Sequence, residues 1–207
     1  MTWVKICGVT SAEDASLAAD LGADAVGINL VPQSKRFVNE ARAVEIARAV
    51  RGRVRTVGVV ANRTAEELVT LRARLELDLL QLHGDEPPEA LAHLLPHAFK
   101  AARIGDAKDV DLAARYPGNM LLVDARVRGA IGGTGMTFDW KLVATLAQRR
   151  SIVVAGGLTA ENVASAVRLV QPFGVDVASG VEREENPRAK DAAKIRAFIE
   201  EARCGTR

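Results

Sequence analysis

The sequence predicts an α/β fold, a (β/α)8 TIM barrel in which eight parallel strands close on themselves inside a ring of helices. Short apolar runs alternate with alanine-rich helical stretches along the whole chain. Several runs lack strict apolar–polar alternation, which is typical of parallel strands buried on both faces. The 207 residues fall a little short of the roughly 250 usual for this barrel. No linker-like segment interrupts them, so we expect residues 1–207 to form one domain.

Eight strands and eight helices are predicted in alternation, the strands from apolar or β-branched runs and the helices from alanine-rich ones. The strands are predicted at residues 3–6, 24–30, 54–60, 77–82, 98–103, 119–124, 151–156 and 174–179. The helices are predicted at residues 12–22, 40–50, 64–76, 87–95, 106–116, 139–150, 160–170 and 189–203. The helical pattern is weakest at 106–116.

Several helix ends carry recognisable signals. A threonine followed three residues later by a glutamate predicts a capping box, in which each side chain bonds the other's backbone N–H. This pattern occurs at Thr10–Glu13 and at Thr64–Glu67. Single residues also mark helix ends: Asp139 and Thr159 are predicted N-caps, and Gly22 and Gly52 are predicted to follow helix C-termini.

The main alternative fold is an open, doubly wound sheet. That fold calls for a G-x-G-x-x-G motif after its first strand, and residues 7–14, CGVTSAED, do not supply one. Eight even units without a break in composition therefore favour closure into a barrel.

Composition disfavours several classes of function. Aromatic residues make up 4% of the chain and the net charge is +2, so neither a stacking platform nor a basic surface for nucleic acid or membrane is expected. No signal peptide or run of about 20 apolar residues is present, which predicts a cytoplasmic protein. Cys7 and Cys204 lie at opposite ends of the chain, a spacing that predicts neither a disulfide framework nor a metal site.

In a (β/α)8 barrel the functional residues lie at the carboxyl ends of the strands. Glycines after the last two predicted strands indicate a phosphate site, because backbone N–H groups and helix N-termini can approach an anion there. The candidates that follow the strands are Cys7, Pro32–Arg36, Asn62, Arg63, Gln81, His83, Asp85, Arg103, Asp124, Gly156, Gly157, Ser179 and Gly180.

Residue type alone leaves two interpretations open for the most reactive candidates. Cys7 is either a base at a strand end or a small buried apolar residue. Asp124 is either a proton donor or a helix cap or ion-pair partner; it opens a glycine-rich segment, 124–140, that we expect to form a mobile cover. His83 stands without a second metal ligand at useful spacing, which disfavours a metal site.

Six segments together resemble one known family. They are KICGVT after residue 4, SKRFV after 33, QLHGDE after 80, LLVDA with GGTG and FDW after 120, AGGLTAENV after 154 and GVDVASGVE after 173. Their order and content resemble the phosphoribosylanthranilate isomerases over nearly the whole chain. Any one segment would be weak, but the combination is specific.

The resemblance implies an Amadori rearrangement of N-(5-phosphoribosyl)anthranilate to 1-(2-carboxyphenylamino)-1-deoxyribulose 5-phosphate, without cofactor or metal. It implies Cys7 as general base, Asp124 as general acid and Arg36 as the partner of the anthranilate carboxylate. Further substrate contacts are expected from Gln81, His83, Gly133, Gly156, Gly157, Asp176, Ser179 and Gly180. The expected partner is this small phosphorylated substrate, with no nucleic acid or membrane, and the expected state is a monomer or homodimer.

Two other functions stay open at this point. The sister isomerase of histidine biosynthesis, or a bifunctional barrel, resembles this fold and chemistry but has an aspartate where Cys7 stands. A non-catalytic phosphate-binding barrel would need no acid and base. The chain also departs from the family pattern at Lys35, commonly proline, and at Met136, commonly glutamate.

Overall fold

A computed structural model describes residues 1–124 and 141–205 of the chain. In this part, eight parallel strands form a closed barrel in which neighbours in sequence are neighbours in space and the last strand pairs with the first. The strands are β1 (Trp3–Cys7), β2 (Ala25–Asn29), β3 (Arg55–Val60), β4 (Leu79–Leu82), β5 (Ala98–Arg103), β6 (Met120–Asp124), β7 (Ser151–Ala155) and β8 (Gly174–Val177). The predicted (β/α)8 fold is confirmed.

An α-helix follows each strand within the described residues. The helices are α1 (Ala12–Asp20), α2 (Glu40–Ala49), α3 (Ala65–Arg74), α4 (Pro88–Ala92), α5 (Ala107–Ala114), α6 (Lys141–Ala147), α7 (Ala160–Val170) and α8 (Ala192–Cys204). A short 3₁₀ helix, Ser179–Val181, lies between β8 and α8. No helix in these ranges is long and apolar enough to cross a membrane.

Alternation along each strand divides the apolar residues between two cores. In β1, Val4 and Ile6 belong to the large core between the strands and the helices. A smaller cluster inside the barrel contains Phe99 among short residues such as Ala25 and Ala101. Because successive side chains point to opposite faces, the other β1 side chains, Lys5 and Cys7, face the barrel interior.

The predicted capping box at Thr10 and Glu13 is wrong, because α1 is capped by the next residue, Ser11. Ser11 is the N-cap of α1, and its hydroxyl accepts a hydrogen bond from Asp14 N at 3.1 Å. The Thr10 hydroxyl instead donates to the Arg188 carbonyl at 2.7 Å. A contact with the far end of the chain therefore displaces the Thr10–Glu13 pairing.

The other described helix signals are confirmed. Glu67 accepts from Thr64 N at 2.9 Å and Thr64 accepts from Glu67 N at 3.3 Å. Thr159 is the N-cap of α7, while Gly22 and Gly52 have positive φ angles of 94° and 75°. The predicted N-cap Asp139 lies outside the described residues.

The last helix begins later than predicted. Asp191 is its N-cap and accepts a hydrogen bond from Lys194 N at 3.0 Å. Lys190, predicted to be helical, forms an isolated antiparallel bridge with Glu182 instead. The segment between β8 and α8 is therefore longer than expected and reaches the carboxyl ends of the strands.

Candidate active site

A cavity of about 550 Å³ opens at the carboxyl ends of the strands, and we call it the mouth cavity. The structure brings most of the predicted site residues together in its lining: Cys7, Arg36, Gln81, His83, Asp124, Gly156, Gly157, Asp176 and Ser179. The predicted Gly133 and the expected cover beyond Asp124 lie outside the described residues.

Cys7 is the last residue of β1 and is 8% exposed. It stands opposite Gly27 of β2. A Cβ atom at Gly27 would lie 2.7 Å from Cys7 Sγ and 3.1 Å from Lys5 Cε. The missing side chain at Gly27 therefore leaves the space that Cys7 and Lys5 share.

Lys5 is fully buried inside the barrel and forms an ion pair with Asp176 of β8. Lys5 Nζ lies 2.8 Å from Asp176 Oδ1. Burial lowers the pKa of Lys5, but attraction to Asp176 and to Cys7 raises it, and the pKa lies above its usual value. A protonated lysine therefore stands beside the Cys7 sulfur.

The environment of Cys7 favours the neutral thiol over the thiolate. Burial raises the pKa of the Cys7 thiol, and the negative charge of Asp176 raises it further. The ammonium groups of Lys5 and Lys190 act in the opposite direction without cancelling this rise. At neutral pH, Cys7 is therefore mostly protonated in the free protein.

Asp124 is the last residue of β6, three strands away from Cys7 along the barrel wall. It is 7% exposed and pairs in register with Arg103 of β5 and Ala155 of β7. Its position at a strand end directs a carboxyl group into the mouth cavity on the side away from Cys7.

His83 lies next to Asp124 and is neutral. Burial, followed by the positive charge of Lys5, lowers the pKa of His83 to about 4. Gln81 Nε2 lies 2.9 Å from His83 Nδ1; because the amide donates to Nδ1, the ring proton is on Nε2. Nε2 faces Asp124 Oδ2 at 3.9 Å, which is too long for a hydrogen bond.

The segments after β7 and β8 meet at one side of the mouth cavity. Gly157 has a φ angle of +66°, and a Cβ atom there would meet no protein atom within 4 Å. Behind Ser179, a Cβ atom at Gly180 would lie 2.1 Å from the Leu158 carbonyl oxygen. Glycine at 180 thus lets the two segments touch, while the backbone at 157 faces open space.

Arg36 approaches from the segment after β2. Its Cδ atom packs against Gly8, where a Cβ atom would lie only 2.2 Å away and where φ is +71°. Arg36 Nε donates a hydrogen bond to Glu182 Oε1. Lys190, which is fully buried, places Nζ 3.6 Å from the same oxygen and 3.0 Å from the Ala178 carbonyl.

Sequence reasoning missed Glu182 and Lys190 as part of this site. Glu182 directly follows the 3₁₀ helix after β8, so its position after a strand end was an available signal. Lys190 carried no such signal, because its segment was predicted to be helical.

A second, more open groove of about 660 Å³ lies outside the barrel mouth between the β1, β2 and β8 segments. Its arginines already have partners within the protein. Arg42 pairs with Glu45 at 2.9 Å, and Arg183 Nε donates to the Lys190 carbonyl at 3.1 Å. These contacts indicate a structural role for the groove. In the described part of the chain, no cluster of three or more His, Cys, Asp or Glu could hold a metal ion.

Comparisons with known proteins agree on one family. A family model for N-(5'-phosphoribosyl)anthranilate isomerase matches residues 4–201. A relative of that name from Pseudomonas paraeruginosa is 46% identical over 97% of this chain and 94% of its own length. The family match extends from within β1 into α8.

Solved structures give the same result. The phosphoribosyl anthranilate isomerase of Thermotoga maritima superimposes with a TM-score of 0.87 at 37% identity, covering 99% of this chain and all of that one. A second structure of this kind, in complex with reduced 1-(o-carboxyphenylamino)-1-deoxyribulose 5-phosphate, has a TM-score of 0.86 at 36% identity over 99% and 100% of the two chains. The chain therefore belongs to the N-(5'-phosphoribosyl)anthranilate isomerase family.

Proposed function

We propose that the chain converts N-(5-phosphoribosyl)anthranilate to 1-(2-carboxyphenylamino)-1-deoxyribulose 5-phosphate by general acid–base catalysis. The observation that carries the proposal is the mouth cavity, which Cys7 and Asp124 both line from strands three positions apart. Family membership and the ligand named for the solved relative support the substrate class.

Asp124 acts first, as the acid. It gives a proton to the furanose ring oxygen while the nitrogen lone pair forms a double bond to sugar C1. The C1–O bond breaks, the ring oxygen leaves as a hydroxyl, and a protonated Schiff base remains. Such proton transfer by a placed side chain is worth on the order of 10²–10⁴ in rate.

Cys7 acts second, as the base. Its thiolate removes the proton from sugar C2, and the electrons of the C–H bond move to neutralise the iminium nitrogen. The resulting enolamine tautomerises to the ketone. The cations that stabilise the thiolate are Lys5 and Lys190, and the positive Schiff base adds to them. The reaction moves protons and needs no electron carrier.

The remaining lining residues bind and orient the substrate. Arg36 presents a planar guanidinium to the anthranilate carboxylate. The backbone at Gly156, Gly157 and Ser179 receives the phosphate, supported by the open space beside Gly157. Gln81 Oε1 is buried and has no hydrogen-bond partner in the described residues, so it accepts a hydrogen bond from a substrate hydroxyl or N–H group.

We also propose a cytoplasmic enzyme that works as a monomer or homodimer. Both cysteines are free thiols, in agreement with a reducing compartment. One Thermotoga maritima relative is described as dimeric.

A turnover assay tests the proposal. Purified protein is given N-(5-phosphoribosyl)anthranilate generated in situ, and product formation is followed by chromatography. We expect turnover that Cys7→Ser and Asp124→Asn each reduce by about 10²-fold or more, and no turnover of the corresponding histidine-pathway substrate. Binding of the reduced product without any turnover would favour a phosphate-binding barrel instead.

A further inference from the structure

Arg36 is held by a second side chain, the carboxylate of Glu182. Arg36 Nε donates to Glu182 Oε1 although the two residues are 146 positions apart in sequence. The Glu182 side chain is 6% exposed and that of Arg36 is 16% exposed. Solvent ions therefore screen this contact much less than a surface ion pair.

The contact decides which edge of the guanidinium remains available. A guanidinium carries its donors on fixed edges of one plane. Glu182 occupies Nε, and the two Nη atoms of Arg36 have no hydrogen-bond partner within the described residues. Because Arg36 lines the mouth cavity, its Nη edge is free to donate to both oxygens of a ligand carboxylate.

Glu182 is itself fixed to the segment that follows β8. Glu182 N donates to the Ser179 carbonyl at 3.1 Å, and Lys194 Nζ donates to the Glu182 carbonyl at 3.1 Å. The position of the Glu182 carboxylate is therefore set by the same turn that lines the phosphate end of the cavity.

A second side chain, the guanidinium of Arg188, joins the same two segments. Arg188 donates to the carbonyl oxygens of Lys35 and Phe37 at 2.6 and 3.1 Å. These carbonyls flank Arg36 in sequence. The β8 segment thus holds both the backbone around Arg36, through Arg188, and the Arg36 side chain, through Glu182.

Charge keeps Glu182 ionised. Burial raises the pKa of Glu182, but the hydrogen bond from Arg36 and the charges of Lys190 and Lys35 lower it more, so the pKa lies below its usual value. Lys35 Nζ lies 3.5 Å from Oε2 but its side chain is 58% exposed. An ionised acceptor makes the hydrogen bond from Arg36 charge-assisted and directional.

We propose that Glu182 is a positioning residue, which orients Arg36 so that its Nη edge faces the substrate carboxylate. Through the turn before Glu182, the phosphate end and the carboxylate end of the site keep a fixed separation. The inference rests on the proposed function, since it takes Arg36 as the carboxylate partner.

Two matched ligands test the inference. The first is reduced 1-(o-carboxyphenylamino)-1-deoxyribulose 5-phosphate, and the second is the same compound without the carboxyl group. Dissociation constants are measured by calorimetry for wild type, Glu182→Gln, Arg36→Met and a control, Glu184→Gln. Glu184 lies on the same segment, but its side chain is 89% exposed.

The preference for the carboxylate ligand is the ratio of the two dissociation constants. We expect this preference to fall roughly tenfold or more in Glu182→Gln, as in Arg36→Met, because one charge-assisted pair is worth about that factor. Glu184→Gln keeps the wild-type preference. Both ligands carry the phosphate, so effects on phosphate binding cancel in the ratio. Loss of the Glu182 negative charge would by itself raise the preference for the carboxylate ligand, which is the opposite of the loss expected from a misplaced Arg36.

If Arg36→Met loses the preference but Glu182→Gln keeps or increases it, Glu182 only neutralises Arg36. That result would overturn the inference about Glu182 and leave the proposed function intact. If Arg36→Met also keeps the preference, the carboxylate assignment of Arg36 fails and the inference falls with it. If Glu182→Gln does not fold because Lys190 is left unpaired, the double variant Glu182→Gln/Lys190→Met removes both charges. The ratio of the two dissociation constants is then measured for the double variant, with the same expected loss of preference.

Discussion

Cys7 faces charges of both signs, and their balance determines when it can act as a base. Asp176 favours the thiol, whereas Lys5 and Lys190 favour the thiolate. Burial adds to the effect of Asp176, so the pKa of Cys7 is raised. The sulfur is protonated in the free protein, so the fraction of Cys7 present as the basic thiolate increases as pH rises toward this pKa. We therefore expect kcat/KM to increase from neutral to alkaline pH.

Replacing Asp176 by asparagine should make Cys7 a stronger acid. The substitution removes one cause of the raised pKa and leaves Lys5 facing the sulfur, so the pKa of Cys7 should fall and the thiolate fraction at neutral pH should rise. The rate of iodoacetamide alkylation is measured against pH in a Cys204→Ser background, because Cys204 is an exposed thiol. We expect the midpoint to move to lower pH; an unchanged or higher midpoint would contradict this electrostatic account.

Asp124 allows a separate test of the acid. Asp124→Asn keeps the shape of the side chain but removes its transferable proton, so kcat should fall by about 10²–10⁴. The affinity for the reduced product should stay within a few-fold, because the proposed contact of Arg36 with the ligand carboxylate is untouched. Single-turnover kinetics and calorimetry on the same variant check the two expectations; a near-wild-type kcat would make Asp124 a structural residue.

Among the elements, α5 depends strongly on its cap. Its sequence pattern was the weakest of the eight predicted helices, and Ala113 is its buried residue. The Asp106 side chain accepts hydrogen bonds from Lys108 N at 2.8 Å and Asp109 N at 3.1 Å. With little apolar surface to bury, the helix gains much of its stability from satisfying these N-terminal donors.

Asp106→Ala should therefore lower the free energy of unfolding by about 1 kcal/mol, the usual contribution of an N-cap carboxylate. The matched control is Asp111→Ala, an exposed position inside the same helix, which should change stability by much less. Urea unfolding of the two variants measures the difference. Equal effects would show that charge or helix propensity, rather than the cap, is responsible.

At the scale of the whole molecule, local patterns predicted the barrel and the positions of Cys7 and Asp124, because apolar runs show where strands end and the fold places those ends together. Contacts between distant segments could not be predicted. The Lys5–Asp176 pair joins residues 171 positions apart, and no local spacing indicates such a partner. The misplaced cap at Thr10 has the same cause, since Arg188 is 178 positions away.

The Lys5–Asp176 pair also joins β1 to β8, the two strands that close the barrel. Lys5 is fully buried and Asp176 is 8% exposed. Lys5→Met would leave the Asp176 carboxylate buried without its cation, which typically costs about 3–5 kcal/mol. We expect a large loss in the free energy of unfolding at neutral pH, measured by urea denaturation.

Lys5→Met/Asp176→Asn, which removes both charges, should recover most of this loss, since neutral side chains avoid the cost of an unpaired charge. If the double variant is no more stable than Lys5→Met, the loss reflects packing of the lysine stem rather than the charge pair. The double variant should nevertheless turn over slowly, because the Cys7 thiolate then lacks the stabilising charge of Lys5, so stability and catalysis at this strand pair can be measured separately.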